Sequence, residues 1–122
     1  MSDRVLASTG WSASTNAFAA GQVAARIAVQ RLVTRQASCA LVFGSSWLDQ
    51  TQLLKGVRSV LDSTPVVGGS TAGEITPEGP KTHSCIVLAL AYEDLQVSVG
   101  AGPEVEKNPR LAGHQAALQA LR

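Results

Sequence analysis

Apolar and polar residues recur along this chain with two different periods, and the switches between them mark out its elements. Val5 to Ser8 reads as a short first strand that ends at Gly10-Trp11-Ser12. A helix then opens near Ser14, Thr15 or Asn16, whose side chains can accept from the free amides of a first turn, and is expected to run to about Gln36. Its alanines and Gly21 leave little bulk, so it can lie close against a sheet. Cys39-Ala40-Leu41-Val42-Phe43 is apolar throughout, as in a buried strand, and the small polar turn Gly44-Ser45-Ser46 and Trp47 follow it.

A second helix is expected from about Asp49, with Gln52 at the capping-box offset. Leu53, Leu54, Val57, Val60 and Leu61 then form one apolar stripe. Pro65 ends it, because proline drives the preceding residue out of helical geometry. A short strand follows at 65–68. Residues 74–83 hold Pro77, Gly79 and Pro80 without periodicity and read as a loop. Cys85 to Ala91 is apolar on both faces, which predicts a central strand. After a turn at Tyr92-Glu93-Asp94, Leu95, Val97, Val99 and Ala101 alternate with Gln96, Ser98 and Gly100, predicting a strand with one buried face. Asn108-Pro109 supplies the cap and first-turn proline of a last helix through Leu111, Leu118 and Leu121.

This order predicts an α/β fold, a mixed sheet of about five strands with three helices. The helices between the first three strands imply parallel pairing there, and the direct connections around 85–91 imply antiparallel pairing. The last helix is still in pattern at Arg122, so the chain is expected to be a partial domain, truncated at its C-terminal end.

Composition narrows the function classes. A chain of 122 residues with 45% apolar and 16% charged residues is globular and one domain at most. A net charge of +1 with scattered basic residues leaves no footprint for nucleic acid. No apolar run reaches spanning length, so membrane insertion is not expected. Met1-Ser2-Asp3-Arg4 lacks the layout of a secretion signal, which makes the cytoplasm the expected location. Cys39 and Cys85 sit inside apolar runs without C-x-x-C spacing and read as buried thiols. Joined with His83 and His114, they match no zinc-ligand spacing, so no metal is expected.

The candidate chemistry lies in Gly68-Gly69-Ser70-Thr71-Ala72-Gly73-Glu74-Ile75. Glycines permit close backbone approach, and the hydroxyls and the carboxylate make a polar rim at a strand end. The loops 10–12, 44–47 and 69–74 should share one edge of the sheet, where ligands of open α/β sheets bind. Ser45, Ser46, Ser70, Thr71, Gly73, Glu74, Trp11 and Trp47 are therefore the expected ligand-binding residues. Ser70, Thr71 and the amides around Gly73 would donate to a carboxylate, Glu74 would pair with an ammonium group, and an indole would wall the site. The loop has neither phosphate-cradle spacing nor a nucleophile elbow, so catalysis is not expected. The enzyme alternative is a hydrolase using Ser70 or Thr71 as nucleophile, with His83 or His114 as base. His114 lies on the apolar line of the last helix and reads as half-buried against the sheet, with a haem-ligand role as the alternative. His83 reads as a surface residue.

Leu41-Val42-Phe43-Gly44-Ser45, the Leu53-Leu54-Lys55-Gly56 pattern and Val66-Val67-Gly68-Gly69-Ser70-Thr71-Ala72-Gly73-Glu74-Ile75 together resemble the FIST domain. The likeness continues through Cys85 to Ala91, Val97-Ser98-Val99-Gly100 and Asn108-Pro109-Arg110-Leu111-Ala112-Gly113. It implies the N-terminal portion of a sensory module of signal-transduction proteins, binding a small, amino-acid-like polar ligand. Its implied partners are the C-terminal remainder of the module and an output domain such as a kinase. Some relatives are described as haem-dependent gas sensors, which makes haem the alternative cofactor where none is otherwise expected.

Overall fold

The computed structural model describes residues 6–33 and 36–122. Its elements are β1 (Leu6–Ser12), α1 (Ala17–Gln30), β2 (Cys39–Ser45), α2 (Gln50–Leu61), β3 (Val66–Thr71), β4 (Glu74–Thr76), β5 (Gly79–Lys81), β6 (Cys85–Ala91) and α3 (Pro109–Ala120). Four strands form one sheet in the order β1-β6-β2-β3, and β4 pairs with β5 in a separate ribbon. β2 and β3 are parallel, and β6 is antiparallel to both β1 and β2. The first three strands thus run in one direction, but β6 is inserted between β1 and β2. The fold is the mixed α/β arrangement with three helices that the pattern predicts.

Each helix starts where a short polar side chain meets its first turn. Asn16 Oδ1 accepts from Ala19 N at 2.9 Å, Asp49 Oδ1 from Gln52 N at 3.1 Å and Asn108 Oδ1 from Leu111 N at 3.0 Å. Such caps contribute about 1 kcal/mol each. α1 ends at Gln30, short of the expected Gln36; residues 34 and 35 lie outside the described residues, as does Val5.

Three expectations are corrected. Gly10, Trp11 and Ser12 are not a loop, because they pair with Val87, Ile86 and Cys85 and prolong β1. Residues 74–81 form a hairpin, closed by Thr76 Oγ1 donating to Gly79 O at 2.8 Å and by Gly79 at φ +104°. Strands of three residues are too short for a period to show. The strand expected from Leu95 to Ala101 does not form; it has no ladder partner and leans on α3 instead. Ser98 Oγ donates to Ala120 O, and Ala101 N donates to Gln119 Oε1 at 2.7 Å.

The core lies between one sheet face and the pair α1 and α2. Ala20, Ala24, Ala25 and Ala28 of α1 and Leu53, Val57 and Leu61 of α2 bury Ala40, Val42, Val87 and Ala89. A Cβ on Gly10 would overlap Ala24 O and stand 2.6 Å from Ala28 N, so α1 rides on β1 at backbone distance. The opposite face carries Leu41 and Phe43 of β2, Ile86, Leu88 and Leu90 of β6, and Trp11 of β1, aligned in rows by the register. These side chains are half-buried or exposed. α3 makes no extensive contact with the sheet. His114 is accordingly exposed on α3, not half-buried against the sheet. Cys85 is buried, whereas Cys39 is only half-buried, on the open face. Among the described residues no helix is long and apolar enough to cross a membrane, and no group of three side chains could hold a metal ion.

Candidate functional site

The register gathers three strand ends on one rim. Ser12 and Gly44 both pair with Cys85 at the start of β6, and Ser45 pairs with Thr71. Glu74, the first residue of β4, closes this rim and is only 4% exposed. Its Oε1 accepts from Ser84 N at 3.1 Å and from Ser84 Oγ, and its Oε2 accepts from Thr71 Oγ1. The buried Ser84 continues the chain of bonds, since its carbonyl accepts from Ser45 N at 2.9 Å. Ser46 N donates to Thr71 O at 2.9 Å, and Ser45 Oγ accepts from Trp47 N at 3.2 Å. One carboxylate therefore ties the end of β3 to the start of β6, with the end of β2 joined at one remove.

All three donors to Glu74 are neutral. Among the described residues no cation stands within ion-pair distance of it; the ion pair found there joins Lys107 and Glu104, far along the chain. Burial, and then the negative charge of Glu74, push the Cys85 thiol up to about 12 from 9.0. Two outcomes follow. Cys39 should react with a thiol reagent in the native protein, whereas Cys85 should react only on unfolding, as a timed alkylation read by mass spectrometry would show. The folded protein also holds the Cys85 proton more tightly than the unfolded chain. Its stabilising contribution is whole below pH 9 and is lost as pH rises to about 12. A denaturation series across that window should show stability falling, and less steeply in Cys85→Ala.

Around the rim stand one aromatic pair and one cation–π contact. Trp47, 79% exposed, meets the His83 ring edge-on with centroids 5.1 Å apart. Lys81 Nζ lies 5.3 Å from the centroid of the Trp11 ring. A hollow of about 300 Å³ is lined by Gly73, Glu74, Ile75, Pro80, Lys81 and Thr82.

Of the residues expected at the site, Ser45, Thr71, Gly73 and Glu74 come together. Trp47 and Trp11 flank the rim through His83 and Lys81, and Ser46, itself exposed, takes part through its backbone amide. Ser70 is separated. It lies in register with Gly44, on the side of Leu53 and α2, and neighbouring strand residues project to opposite faces. The Ser70 and Thr71 side chains therefore project to opposite faces of the sheet. Neither histidine hydrogen-bonds to either hydroxyl: His83 stands against Trp47, and His114 lies by Asn108, Arg110 and Leu111. Sequence reasoning missed Ser84 and Lys81. Ser84 lies ten residues beyond its partner, and only the β4–β5 hairpin folds it back.

A family model, the FIST N domain, matches residues 38–121, from the threshold of β2 to the end of α3. The chain belongs to the FIST N domain family. FIST domains are sensory domains of signal-transduction proteins. A search of curated proteins finds no match to the chain. In this FIST domain the polar rim from Ser45 to Ser84 lies wholly inside the matched span, whereas β1, with Trp11, and α1 precede it.

Proposed function

We propose that this FIST domain senses an amino-acid-like metabolite, held in the hollow beside Glu74 and not turned over. The observation that carries the reading is a buried carboxylate bonded only by neutral groups. Removing such a charge from water is costly unless a cation compensates it. A ligand ammonium group at the remaining lone-pair position of Glu74 would supply that compensation. Lys81 lines the same hollow with the opposite charge and offers a partner for the ligand carboxylate. A site with one fixed charge of each sign favours a zwitterion. The volume stands at the small end of ligand pockets, as an amino acid requires. This assignment gives Lys81 the carboxylate role first expected of Ser70 and Thr71, since Thr71 already donates to Glu74. Because Glu74 bonds both the end of β3 and the start of β6, occupancy would shift those ends together and pass a signal to an output domain such as a kinase.

Calorimetric titration of the whole chain with each common amino acid tests this. At least one should bind, with a change in indole fluorescence as Lys81 leaves the Trp11 ring. Lys81→Met and Glu74→Gln should each weaken that binding at least tenfold. Heat from none of the amino acids, or affinity indifferent to both substitutions, would remove the proposal.

A further inference from the structure

Three features of the fold are unsatisfied, and one movement answers all of them. The first is the outer edge of β3. Ala40 N donates to Pro65 O and Ser46 N to Thr71 O, so the odd-numbered residues of this stretch turn their backbone groups to β2. Val66, Gly68 and Ser70 turn theirs outward, as alternation in a parallel pair requires. No backbone group among the described residues bonds them from that side. The second is a cleft of about 380 Å³ alongside that edge, walled by Val42, Leu53, Leu54, Val66 and Val67 on one side and by Val99 on the other. The third is the open sheet face bearing Leu41, Phe43, Leu88 and Val67.

Facing the cleft is the segment whose alternating sequence finds no strand partner. Its packing on α3 repeats that of β1 on α1. In β1, a Cβ on Gly10 would overlap Ala24 O and crowd Ala28 N, four residues on. At Gly100 a Cβ would overlap Ala116 O and stand 2.7 Å from Ala120 N, again four residues on. Ser8 Oγ donates to Ala28 O, and Ser98 Oγ, also two residues before its glycine, donates to Ala120 O. The segment and α3 are thus built like a strand and its covering helix, detached from the sheet.

We infer that residues 97–102 form a strap that closes onto the outer edge of β3 as a further strand, carrying α3 onto the open face. Val99, Gly100 and Ala101 already line the cleft with Leu53 and Leu54, whereas the Ser98 hydroxyl and any Cβ on Gly100 or Gly102 are directed to α3. Closure therefore fills the cleft with Val99, pairs the free edge and sets α3 on the side away from α2. β3 ends at Thr71, which holds Glu74, so the strap and the proposed ligand site share one strand. Closure itself does not rest on the ligand reading; only its coupling to ligand does.

NMR on the whole chain, free of ligand and at two protein concentrations, tests the closure. If the closed form dominates, the Gly68 and Ser70 amides exchange with solvent at least tenfold more slowly than in an unstructured chain. If it is a minor form, relaxation dispersion shows one shared rate for residues 97–101, α3 and those two amides. In Gly100→Val, whose side chain would wedge α3 off the strap, either signature should vanish at Gly68 and Ser70. The β1–β6 amides should stay protected, showing that the sheet is intact. Unprotected edge amides with flat dispersion would overturn the inference. So would a signature unmoved by Gly100→Val, or protection that rises with concentration, which assigns the edge to a second copy. Each of these results leaves the hollow beside Glu74 untouched, because no ligand takes part.

Discussion

Glu74→Ala should lower the stability of the domain by about 3 kcal/mol in urea unfolding and abolish amino-acid binding. The loss comes from what is left behind. Thr71 Oγ1, Ser84 Oγ and Ser84 N all donate to this one side chain, and Ser84 is buried where water does not replace an acceptor. The end of β3 and the start of β6 would lose their common tie. Glu74→Gln separates the two roles of the residue. A hydroxyl can turn from donating to accepting, so the amide group can be satisfied by Thr71 or Ser84 and most of the stability should survive. The negative charge is gone, however, so the ligand ammonium loses its counter-ion and Cys85 titrates lower, with only burial holding it up. A stability loss under 1 kcal/mol for Glu74→Ala would mean that the carboxylate does not organise the rim.

Gly56→Ala should destabilise by about 3 kcal/mol, against the sign that helix propensity gives. Alanine in a helix interior ordinarily gains about 1 kcal/mol over glycine. Here α1 and α2 touch backbone to backbone. A Cβ on Gly56 would overlap Phe18 O and stand 2.9 Å from Gln22 N; one on Gly21 would overlap Leu53 O and stand 3.1 Å from Val57 N. Neither obstacle is a flexible side-chain tip that could swing aside. The helices would have to separate, drawing Val57 and Ala20 out of a core made largely of small residues. Gly113→Ala provides the control, because a Cβ there meets nothing within 4 Å, and it should be neutral or stabilising. Equal melting temperatures for Gly56→Ala and the parent would show that the helices do not cross at this glycine.

Much of the architecture is legible in local patterns. The caps at Asn16, Asp49 and Asn108, the stripe Leu53-Val57-Leu61 and the two-sided apolar run of β6 depend on neighbours within a few residues, so their spacing states them directly. The FIST likeness, carried by the glycine-rich segment and its flanking strands, is of the same kind. Leu54 departs from its stripe and is exposed at the cleft, since being apolar does not tell a residue which side of a helix has company.

What only the tertiary structure decided depends on contacts between distant parts of the chain. The insertion of β6 between β1 and β2 is one such decision, and it turns Trp11 from a loop tip into a strand residue opposite Ile86. The choice of Thr71 over its neighbour Ser70 is another, because one residue of register sends a side chain to the opposite face. The pairing of Glu74 with Ser84 needed a hairpin too short to show a period. Leu95 to Ala101 marks the limit most clearly. Alternation states that a segment can have one apolar face, but a strand also needs an edge to bond to, and that edge is contributed from elsewhere in the fold.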